Sequence, residues 1–364
     1  MKFTELSYAS FTGKTGSCSR FPGAAKLPDG KIVILYDDGE NCDSVNHEMR
    51  IAFSDDDGKN WHDGGIMYDQ KSLGFPHRFT ENCKPALMDE GRLISVGFGF
   101  IRDEPESGLA DYAIRHGRFP ESRNTLSFSD DGGKTWSLPT FIPHNFDTAL
   151  ELSGPALWCE TAKEVLVFGP PFVLQGHAQQ GICLASGDRG KTWEERGRFF
   201  ASDSIAPWEV RSMQEKSGRI WLVMWSYDLV NKIHLPNHLV YSDDQGRSWS
   251  EPLDSGIRGQ AANLFYCNDT KFLLYTVREG ENTGIYCAPF ELSDGKLICG
   301  PSTLLWDAAG MKQNCTERIE KQFRALKFGQ PSMIYLHDDQ WLLLYWSCEN
   351  DSYAIRTRIF QVQA

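Results

Sequence analysis

The stretch SFSDDGGKTW, residues 127–136, is too polar for a protein core, yet its frame recurs as FSDDDGKNW at 53–61, ASGDRGKTW at 185–193 and YSDDQGRSW at 241–249. All four fit Ser-x-Asp-x-Gly-x-(Ser/Thr/Asn)-Trp, with Ser54, Asp56, Gly58 and Trp61 in the first copy and Ser242, Asp244, Gly246 and Trp249 in the last. Successive serines lie 75, 57 and 56 residues apart. A recurring interval of that size marks a repeat architecture. Each copy also carries the chemistry of a hairpin turn. The aspartate accepts backbone N–H groups across the turn, the glycine supplies a positive φ, and the tryptophan anchors the next strand by burying its ring.

Outward from each turn, short apolar runs recur in sets of four. The first set is FPGAAKL, KIVILYD, EMRIAFS and GGIMY; the second CKPALM, RLISVGFGF, NTLSFS and PTFIP; the third GPALWC, EVLVFG, GICLAS and GRFF. The fourth is EVRSMQ, RIWLVMW, HLVYS and a short strand near EPLDS, and the fifth, from ANLFYC to KLICGPSTLLW, replaces the Asp-turn with LSDGK. The sixth has only SMIYL, WLLLYWS and YAIRTRIFQV, so its missing outer strand falls to the N-terminal KFTELSYASF. The expectation is an all-β, six-bladed β-propeller with four such turns, spanning 1–364 as a single domain and closed by the N-terminal strand. One helix is expected at 314–326, and the segment 101–123 is expected to be a long loop over one face.

The 364 residues carry a formal net charge of −12 without a basic stripe, which argues against nucleic acid and anionic membranes as partners. No apolar run reaches the length of a membrane span, and the N-terminus has no apolar signal core, so a soluble, cytoplasmic protein is expected. The ten cysteines include no CxxC pair and read as reduced core thiols. Gly-rich phosphate loops and Gly-x-Ser-x-Gly are absent, and no cofactor or metal site is expected; Pro236 between His234 and His238 disfavours a helical metal-binding pair.

On these residues the chain resembles the sialidase superfamily, whose six-bladed propellers carry such "Asp boxes" between the third and fourth strands of a blade. SRFPGAAKLPDGKIVILYD is similar to the family's arginine motif, and the resemblance implies that Arg20 holds a substrate carboxylate through its planar fork. DDGENCDSVNHEMRIAFSDDDG occupies the place of the family's acid/base aspartate. Asp43 fits best, with Asp37 and Asp38 as near alternatives and His47 as a further proton carrier. WEVRSMQEKSGRIWLV is similar to the family's glutamate motif and places Glu209 as a base or orienting carboxylate.

Three departures follow. Where the family has its second arginine this chain has Trp225 and Ser226, the third arginine near ENTGIYC is missing, and Gln330 in FGQPSMIYL stands in place of the nucleophilic tyrosine. An amide does not attack an anomeric carbon. The resemblance therefore implies the fold and a sugar-sized pocket, with a mechanism other than the usual one.

Loops expected to face the pocket add His77, Arg78 and Glu81; Asp111, Tyr112, Arg115 and His116; His177; Tyr227, Asp228, His234 and His238; and Arg278 and Glu279. Arg78 and Arg278 would rebuild an anion clamp around Arg20, and Tyr227 is the alternative attacking group. The leading reading is a glycoside hydrolase for an acidic or sialic-acid-like sugar, with Asp43 as acid, Glu209 as base and inversion through water. A uronate lyase using Tyr112, His116, Tyr227 or His234, and a non-catalytic carbohydrate-binding propeller, are the alternatives. The oligomeric state is left open.

Overall fold

The computed structural model describes residues 1–13, 18–41, 44–104, 107–173, 177–311 and 325–363. Among them the chain is built of antiparallel strands, with one α-helix, Leu109–His116, in the long segment expected as loop. The helix expected at 314–326 lies almost wholly outside the described residues. No described helix is long and apolar enough to cross a membrane. The chain divides into two compact units, Met1–Ala149 with Met333–Ala364, and Leu150–Ser332.

In the first unit the strands Cys18–Lys26, Ile32–Gly39, Glu48–Ser54 and His62–Ile66 form an antiparallel meander. A single parallel bridge, Cys18 to Tyr353, joins it to the hairpin Gln340–Glu349 and Ser352–Gln363. The N-terminal strand Lys2–Phe11 adds to the free edge of that hairpin, from Lys2 opposite Gln363 to Phe11 opposite Ile355, with one irregularity between Glu5 and Ser7. It satisfies the backbone groups that an open edge would leave exposed. Arg78–Leu87, Leu93–Arg102, Ser122–Ser129 and Thr140–Phe141 form a further four-stranded sheet.

The second unit holds three sheets. One contains Leu157–Cys159, Glu164–Gly169, Gln179–Ser186 and Glu194–Ser202; the next Ile205–Gln214, Ile220–Asp228, His238–Ser242 and Leu253–Asp254, with Ile233–His234 added to the second strand. The last contains Gln260–Cys267, Thr270–Val277, Gly284–Ser293 and Lys296–Cys299, and Thr303–Asp307 also pairs with Gly284–Ser293. Here LSDGK makes a two-residue hairpin, with Asp294 and Gly295 both at positive φ and Ser293 opposite Lys296.

The second strand of each set is a near-continuous apolar run because its sheet is covered on both faces. Ile220–Asp228 shows this residue by residue: Ile220, Leu222 and Met224 enter the cluster around Phe168, Cys183 and Phe199, whereas Trp221 and Val223 enter the cluster around Leu264, Leu273 and Phe290. Strand alternation directs successive side chains to opposite faces, and each such side chain contributes about 1.5–3 kcal/mol on burial.

The four Asp-turns join third strand to fourth and share one hydrogen-bond pattern. In the second, Ser129 Oγ donates to Asp131 Oδ1 at 2.9 Å and accepts the Gly133 N–H at 2.8 Å. Asp131 accepts the Thr135 N–H and hydroxyl at 3.0 and 2.6 Å, while Trp136 Nε1 donates to the Gly133 carbonyl at 3.0 Å. The φ of Gly133 is +85°, and a Cβ there would lie 2.8 Å from Val33 Cγ1, so both conformation and close approach require glycine. In the first turn the tryptophan differs: Trp61 Nε1 donates to Thr357 Oγ1 at 3.1 Å.

Candidate functional site

The first strands of several sets share a local irregularity. Pairing slips between Arg20 and Gly23, between Trp208 and Arg211, and between Gln260 and Asn263. Inside the three slips Phe21, Glu209 and Ala261 take φ of +52°, +48° and +47°, and Gln330, near the head of Phe328–Tyr335, takes +48°. A non-glycine residue in this region costs on the order of 1–3 kcal/mol, and bulges commonly re-aim a side chain beside a site. Two of the four strained residues, Glu209 and Gln330, meet.

Within the second unit Gln330 Nε2 donates to Glu209 Oε1 at 2.8 Å. Gln330 is 8% exposed, and neither its Oε1 nor Glu209 Oε2 has a hydrogen-bond partner. Glu209 also offers its backbone N–H to Glu151 Oε2 at 3.3 Å. Burial, and then the nearby Glu209 carboxylate, push the Glu151 carboxyl up to about 8, against the opposing pull of that N–H and of Arg211. Arg211 is itself buried and lies within electrostatic reach of both carboxylates; its Nη1 donates to the Val210 carbonyl at 3.2 Å. The cluster thus combines a raised carboxyl, a second carboxylate with one unpaired oxygen, a buried cation and an amide.

Along the same unit, Trp208 stacks on Tyr227 with centroids 4.9 Å apart and rings 17° from parallel, and meets Trp225 edge-on at 5.5 Å. Trp225 Nε1 donates to His234 Nδ1 at 3.0 Å, so that nitrogen carries a lone pair. His234 Nε2 lies 3.5 Å from Glu279 Oε1, which also accepts from Gln260 Nε2 at 3.2 Å. Arg278, expected as part of an anion clamp, is buried and donates to the Phe328 carbonyl at 2.8 Å and Gln260 Oε1 at 2.9 Å. Tyr227 is likewise buried. Asp228 shapes a turn, accepting the Val230 and Asn231 N–H groups at 2.9 Å each.

In the first unit Arg20 is buried, with its guanidinium 4.6 Å from the Phe21 ring centroid and 6.0 Å from that of Trp346. Asp37, opposite Arg20 in the sheet, lies 2.5 Å from His47 Nδ1, while His47 Nε2 lies 2.5 Å from the Asn41 carbonyl. Two acceptors on one ring require both nitrogens to donate, the charged form of histidine. Burial opposes that charge, but the Asp37 carboxylate outweighs it and raises the His47 pKa. His47 is thus engaged at both nitrogens. Asp38 accepts from Ser19 Oγ at 2.6 Å, and Asp43 lies outside the described residues. His77 is exposed; Arg78 donates to the Val45 carbonyl at 3.3 Å and lies 3.8 Å from Glu48.

Sequence reasoning passed over Glu151, Arg211 and Gln260. Arg211 stood inside the quoted glutamate motif, two residues after Glu209. Glu151 heads the run ELSGPALWC and offered no pattern beyond an acid before an apolar segment. Among the described residues, no group of three or more His, Cys, Asp and Glu is arranged to hold a metal ion.

The BNR/Asp-box repeat family matches the chain at residues 127–138 and 240–251, two of the four turns. A protein of unknown function from Dyadobacter fermentans aligns in three dimensions with a TM-score of 0.76 at 16% identity, over 99% of each chain. A Hadza microbial sialidase aligns with a TM-score of 0.65 at 15% identity, over 94% of this chain and 66% of that one. The α-L-arabinanase of Penicillium chrysogenum, in complex with arabinobiose, gives 0.63 at 13% identity, over 97% and 98%. No curated protein matches. The chain has the Asp-box-repeat, propeller-like fold of the sialidase superfamily.

Proposed function

We propose that the four-stranded sets are the six blades of one propeller and that the chain is a glycoside hydrolase that cleaves its sugar without a covalent enzyme intermediate. The observation that carries this reading is the Gln330–Glu209 hydrogen bond of 2.8 Å, with an amide where the resemblance implies a nucleophile and a carboxylate oxygen left without a partner. Glu209 acts as general base on water. The water oxygen forms the new bond to the anomeric carbon as the glycosidic bond breaks, which inverts the anomeric centre. Gln330 orients Glu209 and hydrogen-bonds the sugar. The fold likeness to sialidases and an arabinanase supports a carbohydrate substrate, and its identity is a matter for assay.

The test is a panel of acidic and neutral aryl glycosides, among them sialosides and arabinofuranosides, incubated with the wild type and with Glu209→Gln. The reading expects turnover of at least one member and a loss of about a hundredfold or more in the variant, the scale of general acid–base catalysis. An unsaturated product absorbing in the near ultraviolet would identify a lyase instead. Binding without turnover across the panel would leave a carbohydrate-binding protein.

A further inference from the structure

We propose that Glu151 is the proton donor to the departing oxygen, an assignment that rests on the hydrolase reading above and gives its acid a place beside the base. The backbone fixes the residue firmly: the Glu151 N–H donates to the Pro170 carbonyl at 2.7 Å, and its own carbonyl accepts the Ser153 N–H at 2.8 Å. A Cβ on Gly169 would approach that carbonyl to 2.5 Å, so the neighbouring strand must carry glycine there. The side chain remains half-buried rather than sealed, and its Oε2 reaches the backbone N–H of Glu209.

Two further atoms close to this pair lack hydrogen-bond partners. Gln330 is more than nine-tenths buried with Oε1 unpartnered, and Glu209 Oε2 beside it is unpartnered too. Buried acceptors without partners are costly, and the hydroxyl groups of a sugar would satisfy both. A carboxyl that keeps its proton near a second carboxylate can serve as the acid of an acid–base pair. Glu151 is held up to about 8 by burial and by the Glu209 carboxylate, so it carries its proton at neutral pH. Arg211 and the Glu209 N–H bear on the same carboxyl in the opposite sense.

The step balances. Glu209 takes a proton from water, the water oxygen bonds to the anomeric carbon, the glycosidic bond breaks, and its electron pair takes the Glu151 proton. Glu209 ends protonated and Glu151 ionised, and solvent exchange restores both. The role assigned to Asp43 by resemblance then passes to Glu151.

Two measurements on the full chain test this. In protein labelled with carbon-13 at the glutamate carboxyls, one resonance that is absent from Glu151→Gln should remain protonated through pH 7. A Glu151 that ionises below pH 6 overturns the proposal whatever the turnover. With 2,4-dinitrophenyl and methyl glycosides of the sugar that the wild type cleaves, Glu151→Gln should lose about a hundredfold or more on the methyl glycoside and less than about tenfold on the dinitrophenyl one, whose leaving group needs no proton. Equal losses on both, or this leaving-group dependence in Asp43→Asn instead, overturn it, and Glu151→Asp with the wild-type Tm shows that folding is not the cause. A wild type that cleaves no glycoside while the Glu151 carboxyl still titrates high sinks the hydrolase reading, and the donor role with it.

Discussion

Gln330 and Glu209 are 121 positions apart in sequence, yet both take a positive φ of 48° within a strand, and the amide of one donates to the carboxylate of the other at 2.8 Å. Each backbone is strained, and the strain delivers two polar side chains to one point. The pair sets the first expectation. Gln330→Ala should raise KM more than it lowers kcat, because a hydrogen-bonding group is lost while the base remains. A kcat loss as large as that of Glu209→Gln, with KM unchanged, would assign the amide to the chemical step.

Arg20 offers a contrast within the first unit. Its guanidinium lies against Phe21 and Trp346, where a planar fork stacks and an ammonium does not. If Arg20 serves substrate binding, Arg20→Lys should cost activity on an acidic glycoside at least tenfold while shifting Tm by a few degrees at most. A large fall in Tm with unchanged turnover of the folded fraction would show a purely structural arginine.

The Asp-turns should behave in the opposite way. Trp136 is buried and bonded within its own turn, so Trp136→Ala should destabilise by about 3 kcal/mol, the lower end for a buried tryptophan. Gly133→Ala should also destabilise, through its positive φ and the clash with Val33. Both variants should retain the wild-type rate per folded molecule. Activity lost at an unchanged Tm would place the turn in the site.

Stability should fall at both ends of the pH scale, for different groups. Asp188 is lowered to about 2 by the Thr192 hydroxyl and N–H, and Asp56, Asp131 and Asp244 are lowered as their turn hydrogen bonds outweigh burial. A depressed carboxylate stabilises above its unfolded pKa, near 4, and that contribution disappears as pH falls toward 2. Glu151 has the opposite sign: its pKa is raised, so its contribution is full below about 4.5 and lost as pH rises through about 8. His47, also raised, adds a loss that begins above its ordinary value near 6.5. Thermal melts from pH 2 to 10 should show both limbs, and Glu151→Gln should flatten the fall between about 4.5 and about 8. An unaltered fall over that range in the variant would contradict the burial assigned to Glu151.

Much of the fold was legible because it is written in local patterns. EMRIAFS and HLVYS coincide with the strands Glu48–Ser54 and His238–Ser242, since apolar runs ended by a Ser-x-Asp turn leave little choice of boundary. KFTELSYASF was placed by counting edges, and it pairs along the last strand from Lys2 to Phe11. The helix Leu109–His116 was missed because it sits between Gly108 and Gly117 in a segment rich in turn-forming residues, and Asp103 and Glu104 precede it without reading as a cap.

The site was less legible. Glu209 and Gln330 could be singled out through motifs, but nothing in one-dimensional spacing announces that Glu151 reaches the Glu209 peptide or that Arg211 lies within electrostatic reach of both acids. Side chains named as pocket residues from loop position, such as Arg278 and Asp228, are committed to a backbone carbonyl and to a turn. A bulge decides the placement of Glu209, and it arises from pairing between strands rather than from the sequence of one.

The proposed hydrolysis by activated water forms no covalent bond to residue 330. Proton NMR of the sugar released in the first minutes of turnover, before mutarotation, tests it most directly. The first anomer formed should have the configuration opposite to that of the substrate. Release of the retained anomer would contradict it, and would mean that a side chain of this protein attacks the sugar before water does.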